Sequence, residues 1–430
     1  MYLPHWPIPS TIINKEVDYE AVFERMSQVL NRLGNPHNKL MNIIHIAGTN
    51  GKGSSAAFLG ETFRKSGYAA HIYTSPHLHD CNERIALRND KITDGFLYEV
   101  LEEVRLAAKE ENTSLTFMEA FTIGALLAFS KVESDVIIVE CGLGGRIDPT
   151  NIIKNKIATL ITPISYDHQE YLGDKIERIA LEKSMIIRPN TPVIVSAQCS
   201  EAKNIIKILA DDQKIKSYFY GEDFEILLDE DSGEFDLVSK EFLLQNLPKP
   251  SLEGDHQYIN FASSIALLQV LRDKFNITEE SIKSALQSTY WPGRLENISH
   301  LLQKYCPNSE IFIDGAHNSA SAYALAKWMN QNDHFEHNFV IIGFSKDKCK
   351  KEFLMNLKDL GTIIAVRVEG EPYPEDTNII SSVGKKLGIN IIEKEDLFTA
   401  LHYVGDKKKS RIVICGSLHL NRDVKTLSKG

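Results

Sequence analysis

The sequence predicts an α/β protein of two domains, a larger one built on a mostly parallel sheet and a smaller one of Rossmann-like type. Three observations carry that expectation. Short apolar runs alternate with helix-length stretches along nearly the whole chain, the pattern of parallel strands covered by helices. A glycine-rich run, HIAGTNGKGSS (His45 to Ser55), lies between a strand-like and a helix-like segment, the arrangement of a P-loop-type ATPase domain. Pro292-Gly293 breaks the chain, after which the alternation restarts. Two domains also suit the length, since 430 residues at about 150 per domain allow two or three. The boundary is therefore expected to give domains of residues 1–293 and 294–430.

The elements follow in order. Asp18 to Gly34 reads as a helix, with Val22, Met26, Val29, Leu30 and Leu33 on one face and Gly34 as its C-cap. NIIHIAG (Asn42 to Gly48) reads as a buried strand, Ser54 to Gly67 as a helix, and AAHIYTS (Ala69 to Ser75) as a second strand. TFMEAFTIGALLAFSKV is a long buried helix, followed by strands DVIIVECG and KIATLITPI. Between Gly221 and Leu247 two strand-like runs flank an acidic turn, which suggests a hairpin at the edge of the first domain. A helix from His256 to Phe275 precedes the break. Beyond it come IFIDGAHN, a helix to Met329, HNFVIIGFS, another helix, TIIAVRVEG, GINIIE and RIVICGSLHL.

Composition narrows the function. The chain is 43% hydrophobic and 25% charged, which fits a globular protein and excludes disordered and fibrous classes. With 48 basic against 58 acidic residues, the net charge of -10 argues against a nucleic-acid partner, because such binding relies on Lys and Arg. Cys81, Cys141, Cys199, Cys306, Cys349 and Cys415 form no C-x-x-C pair and no zinc spacing, as expected of a reduced, cytoplasmic chain. The segment MYLPHWPIPS lacks the basic and apolar regions of a secretory signal. No apolar run approaches a membrane span, so no membrane association is expected.

Four loops at strand ends carry chemistry. In the first, Gly48, Gly51, Lys52, Gly53 and Ser54 lead from strand to helix, where backbone N–H groups, the helix dipole and one lysine can cradle nucleotide phosphates. A tight turn without a ligand would use similar glycines. The spacing differs from G-x-x-x-x-G-K-[ST], with only Thr49 and Asn50 between Gly48 and Gly51. Ser75-Pro76-His77-Leu78 ends the next strand, where a hydroxyl can face Mg²⁺ or simply close a turn. In VECGLGGRIDPTN, Glu140 ends an apolar strand and can face a cation or pair with Arg146. In SYDHQEYLG, His168 leads a candidate helix with Asp167 as N-cap, and is either a ligand or structural. Downstream, Lys183 stands in an otherwise apolar helix, where a lysine can also snorkel.

Together, GTNGKGS, TSPHL, VECGLGGRID, YDHQEYLG, EKSMIIRP, PGRLE, DGAHN and GSLHL resemble, in this order, the folylpolyglutamate synthase and dihydrofolate synthase family of the Mur ligase superfamily. The resemblance runs from about Asp18 to Leu420. It implies a phosphate loop of Thr49, Asn50, Gly51, Lys52, Gly53 and Ser54, and magnesium ligands Ser75, Glu140 and His168. It implies further nucleotide contacts from Asn260, Arg294 and Asp314, with His317 beside them as a catalytic candidate, and a carbamoylated Lys183. The family's pterin-binding stretches match Thr116, Phe117, Met118 and Glu119, and Ile147, Asp148 and Pro149. Two departures, Ser184 and Cys141 in place of more usual residues, touch no functional atom.

The implied reaction is ATP-dependent ligation of L-glutamate to 7,8-dihydropteroate, to the γ-carboxylate of reduced folates, or to both, giving ADP and phosphate. A carboxylate is a poor electrophile, so it is first phosphorylated; Lys52 and Mg²⁺ would offset the charge on the transferring group. The resemblance implies ATP and two Mg²⁺ ions as cofactors and a monomeric state. Ser417 and His317 are the candidates for the glutamate site. Two other readings compete. A cell-wall ligase acting on a UDP-muramoyl substrate would be expected to carry an extra N-terminal domain, and only about 45 residues precede Gly48. A catalytically silent nucleotide-binding module would not be expected to keep the full set of phosphate and metal residues.

Overall fold

The computed structural model describes residues 20–331, 334–405 and 407–429, and its contacts divide the chain into two compact units. One runs to Ser165 and takes in Leu172–Ser251 and Tyr258–Thr289. The other comprises Tyr166–Tyr171, Leu252–Gln257 and the chain from Tyr290 onward.

The first unit is built on eight strands: β1 (Ile43–Ala47), β2 (Ala70–Tyr73), β3 (Ile85–Leu87), β4 (Asp90–Lys91), β5 (Val136–Glu140), β6 (Ala158–Ile161), β7 (Val193–Val195) and β8 (Ser217–Phe219). Their order is β4-β3-β2-β5-β1-β6-β7-β8, parallel from β2 to β8, with β3 and β4 antiparallel at one edge. β1 and β5 are buried at every position, which explains their unbroken apolar sequence. On one side of the sheet Met26, Leu97, Val104, Phe121 and Leu126 share a core, and Ile179, Ile187 and Ile206 share another. The Phe117–Lys131 helix is apolar nearly all round because it is buried nearly all round. The Lys52–Lys65 and His256–Val270 helices meet through Phe58 stacked on Phe261 at 4.4 Å.

Three details differ from the sequence expectation. The first helix spans Val22–Arg32; its expected start at Asp18 lies outside the described residues, as do Tyr19 and MYLPHWPIPS. Gly34 does take the left-handed φ of +75° that ends such a helix. The expected hairpin is a separate three-stranded antiparallel sheet, β9 (Phe224–Leu228), β10 (Phe235–Ser239) and β11 (Leu243–Leu247), in the order β11-β10-β9. The third strand was hidden because Leu243, Gln245 and Asn246 are exposed and leave no clean alternation. Lastly, the candidate helix expected to begin at His168 is a single turn that starts one residue later, Gln169–Leu172.

The second unit carries β12 (Glu296–Asn297), β13 (Ser309–Ile313), β14 (His337–Ile342), β15 (Thr362–Ala365), β16 (Ile391–Glu393) and β17 (Ser410–Cys415). They form one sheet in the order β12-β13-β17-β14-β15-β16, parallel except for β12. Phe353, Ile380 and Val413 belong to the core on one face, and Leu401, Ile412 and Val424 to that on the other. The two-domain α/β architecture is the one the sequence predicts. All six cysteines are free thiols, and no helix among the described residues is long and apolar enough to cross a membrane.

Candidate active site

In the first unit the candidate residues gather at the carboxyl ends of the parallel strands, where open α/β sheets bind ligands. The loop after β1 turns on two glycines in left-handed backbone, Gly48 (φ +143°) and Gly51 (φ +85°). A Cβ at Gly48 would come 2.0 Å from Thr162 Oγ1, and one at Gly51 would come 2.2 Å from Asn260 Oδ1. Both positions therefore exclude a side chain twice over, by conformation and by space. Thr49 and Asn50 donate their N–H groups to Pro163 O, and their side chains bond Ser165. Lys52 opens the Lys52–Lys65 helix and donates Nζ to the carbonyls of Gly48 (3.1 Å) and Thr49 (3.0 Å). Gly53 and Ser54 follow, buried in the first turn. The structure thus joins Thr49 to Ser54 with Asn260 in one cradle at a helix N-terminus, a geometry suited to phosphate.

Beside it, the backbone N–H of Ser75 donates to Glu140 Oε2 at 3.3 Å. Ser75 Oγ is buried with no hydrogen-bond partner among the described residues. Arg146, the alternative partner for Glu140, instead pairs with Glu20 and Glu182. A buried hydroxyl lacking a partner, next to a strand-end carboxylate, is a donor set of hard oxygens that fits a divalent cation.

The loop after Glu140 is shaped by Asp148. Its Oδ2 accepts from the N–H groups of Gly142 and Leu143, both at 2.9 Å, and its Oδ1 from the N–H and hydroxyl of Thr150. Burial pushes the Asp148 carboxyl up, against the pull of these donors. A Cβ on Gly142 would meet Met118 Cε (3.2 Å), Ser75 Oγ (3.3 Å) and Asp148 Oδ2 (3.5 Å), so the Ser75 turn, the start of the Phe117–Lys131 helix and the Asp148 loop converge there. Thr116 caps the Phe117–Lys131 helix, accepting from the N–H of Glu119, while Glu119 accepts from the N–H of Thr116 and pairs with Arg25 at 2.6 Å. Ile147 packs on the core and Pro149 opens a short 3-10 turn.

Lys183 does not snorkel. It is 3% exposed and its Nζ donates to Gly48 O at 2.9 Å, which aims it at the phosphate cradle.

The second unit has a site of different construction. His317, in the loop after β13, directs Nδ1 to Gly315 O (2.7 Å) and Nε2 to Asp167 Oδ2 (3.0 Å). Asp167 also receives Lys348 Nζ at 2.8 Å and Asn318 Nδ2 at 3.3 Å. Burial alone would raise its carboxyl; His317, His168 and Lys348 hold it well below the usual carboxylate range. Asp167 therefore does not cap a helix as expected from sequence. Its side chain bonds His168 N–H, and His168 sits at φ +50° with Nε2 3.5 Å from Lys348 Nζ. Ser75 and Glu140 meet in the first unit, whereas His168 lies in the segment that packs with the second. Asp314 accepts from the N–H groups of Leu295 and Ala316, and Arg294 Nη1 donates to Gly293 O. Ser417, after β17, donates to Glu371 Oε2 at 2.9 Å.

Residues 46–268 match the Mur ligase middle domain, and residues 297–427 match the C-terminal domain of dihydrofolate synthetase. The dihydrofolate synthase/folylpolyglutamate synthase of Bacillus subtilis is 31% identical over 421 residues, covering 93% of each chain. The chain belongs to the dihydrofolate synthase/folylpolyglutamate synthase family. Among solved structures of this family, E. coli FolC in complex with DHPP and ADP superposes with a TM-score of 0.83 at 26% identity, covering 94% of this chain and 92% of that one. A bifunctional folylpolyglutamate synthase/dihydrofolate synthase with Mn, AMPPNP and L-glutamate bound gives 0.82 at 25% identity, covering 94% of each.

Sequence reasoning missed three residues of this family member. Lys348 follows β14 and Glu371 lies beyond β15, both at carboxyl ends of parallel strands, so the rule that found Ser75 and Glu140 would have pointed to them. Arg84 stands outside any glycine-rich loop, and only its burial marks it.

Proposed function

We propose that this chain joins L-glutamate to 7,8-dihydropteroate, to the γ-carboxylate of a reduced folate, or to both, through an acyl-phosphate intermediate. It is an ATP-dependent acid–amino-acid ligase of folate biosynthesis that uses a divalent metal. The observation that carries the reading is the convergence on Gly142: Met118 of one pterin-type stretch, Asp148 of the other, and Ser75 of the metal pair all lie within 3.5 Å of one Cβ position. An acid bound along those stretches would have its carboxylate beside the cation and the phosphate cradle.

The roles follow residue by residue. Thr49, Asn50, Gly51, Gly53 and Ser54 present backbone and hydroxyl groups to the nucleotide phosphates, and Asn260 walls the cradle. Lys52 exchanges its two carbonyl partners for the γ-phosphoryl group and offsets the charge that develops on it. Ser75 and Glu140, with His168, are the residues that would hold Mg²⁺, which supplies charge neutralisation for the transferring group. The buried Lys183 is the candidate for carbamoylation and a second ion. Arg294 and Asp314 are nucleotide contacts; His317 and Ser417 position the incoming glutamate. We read residues 294–430 as the glutamate-ligating domain and the protein as a monomer. The DHPP of the E. coli structure and the L-glutamate of the bifunctional enzyme support this choice of substrates.

Ligation should release ADP and phosphate when ATP, Mg²⁺, glutamate and a pteroyl acid are all present. Turnover on a UDP-muramoyl acid with none on pteroyl acids would overturn the reading.

A further inference from the structure

Arg84 is 2% exposed and, with Arg411, is the largest of the fully buried side chains among the described residues. Buried guanidinium groups ordinarily meet carboxylates, because an unpaired charge in a low-dielectric interior is costly. Among the described residues no carboxylate forms a salt bridge with it, and Glu140 acts on it only through charge. Nε donates to His77 Nδ1 at 2.8 Å, Nη1 reaches Met118 Sδ at 3.4 Å, and Tyr73 supplies a hydroxyl. The plane lies over the rings of Phe117 (5.3 Å) and Phe121 (5.9 Å), which are weak substitutes for an anion. Burial pulls its pKa down, while the Tyr73 hydroxyl and the nearby Glu140 carboxylate oppose that pull.

Each of these partners belongs to a ligand-bearing segment. His77 stands two residues beyond Ser75, and the carbonyl of Arg84 accepts from the N–H of Thr74, one residue before it. Met118 and Phe117 open the helix that carries the pterin-type stretch, and Met118 Cε shares the Gly142 position with Ser75 Oγ. One side chain therefore ties the metal-bearing turn to the acid-binding helix end. A hydrophobic residue would fill the same volume at less cost, so the charge and its fixed fork have a use beyond packing.

We propose that Arg84 is a positioning residue that couples acid-substrate binding to metal–nucleotide binding by locking the Ser75 turn against the Thr116–Glu119 helix end. The inference rests on the ligase reading above. Anion arriving along Phe117 and Met118 compensates the buried guanidinium. The same guanidinium then holds His77, and with it Ser75, in the orientation that receives the cation. Binding at either place favours the other.

The test measures KM for dihydropteroate at low and at saturating Mg²⁺·ATP in the full-length wild type, Arg84→Met and Arg84→Lys. In the wild type, saturating Mg²⁺·ATP should lower KM for dihydropteroate at least fivefold. In Arg84→Met that ratio should fall to about one and KM should rise at least tenfold, while kcat at saturation falls less. Arg84→Lys should restore part of the ratio. His77→Leu removes the acceptor and leaves the guanidinium, so it reads the same coupling if Arg84→Met does not fold; it too should bring the ratio near one. A wild-type ratio of one, or Arg84→Met or His77→Leu with the wild-type ratio and only a lower Tm, would overturn the proposal. Absence of ADP release by the wild type with any pteroyl acid would instead defeat the ligase reading itself.

Discussion

The two units present their polar groups at the same address, the carboxyl ends of parallel strands, but build them from different material. In the first unit the site is largely backbone: Gly48, Gly51 and Gly142 stand where no Cβ fits easily, and Asp148 spends its carboxylate on loop N–H groups. In the second unit it is side chain on side chain, with Asp167 collecting His317, Lys348 and Asn318. A backbone cradle suits a phosphate, whose charge is fixed and whose shape is always the same. A cluster of ionisable side chains suits an amino acid, which brings both signs of charge. The difference predicts that damage to the first unit removes turnover outright, whereas damage to the second is graded and depends on pH.

The largest effect should come from Lys52→Ala, which removes the side-chain cation at the start of the cradle's helix. Ligation should fall by about 10²–10³-fold or more, read as ADP release, while the fold is retained because Lys52 bonds only two loop carbonyls. Gly51→Ala comes next. The added Cβ meets Asn260 Oδ1 at 2.2 Å on a residue already at φ +85°, so nucleotide affinity should drop at least tenfold by calorimetry. A companion Asn260→Ala change relieves the contact but not the backbone strain, and should recover only part of the loss. Full recovery would mean that space alone constrains this turn.

Asp167→Asn tests the other half of the comparison. It leaves the buried Lys348 ammonium facing a neutral amide, and should cost about 3 kcal/mol in chemical denaturation at neutral pH. The pH dependence fixes the sign. Asp167 is held well below the ordinary carboxylate value in the folded protein, so its contribution is present above about pH 4 and is lost as pH falls toward the folded pKa. The variant should therefore lack that part of the acid limb of the stability curve. Asp423 gives the opposite case and the smallest effect. Burial raises its carboxyl to about 6, so the group destabilises the charged folded form as pH rises through that value. Asp423→Asn should gain on the order of 1 kcal/mol above pH 6 and nothing below about pH 4.

The same contrast explains what the sequence made legible. Strand, glycine turn and helix are adjacent in the chain, so the phosphate loop, the Ser75 turn and Glu140 could be read from local order. Their expected neighbours, including Asn260 over Gly51, came only with the family resemblance. The Asp167 cluster unites residues 150 and 181 positions apart, and nothing local distinguishes its aspartate from a helix cap. A D-H pair before a helix fits capping rules, so the sequence points to Asp167 as an N-cap and not as the centre of a charged cluster. For Lys183 the sequence allows a snorkelling side chain, and its burial excludes that reading. The extra strand Leu243–Leu247 escaped because its exposed face mixes leucine with amides. Arg84 escaped since an arginine in CNERIAL looks like any surface charge until its surroundings are known.

The most direct measurement is a paired assay in which ATP, Mg²⁺ and L-glutamate are supplied with dihydropteroate in one reaction and a reduced folate in the other, products being read by mass. The account predicts that at least one acid gains the mass of glutamyl residues with one ADP released per residue added. No product and no ADP release with either acid would contradict it.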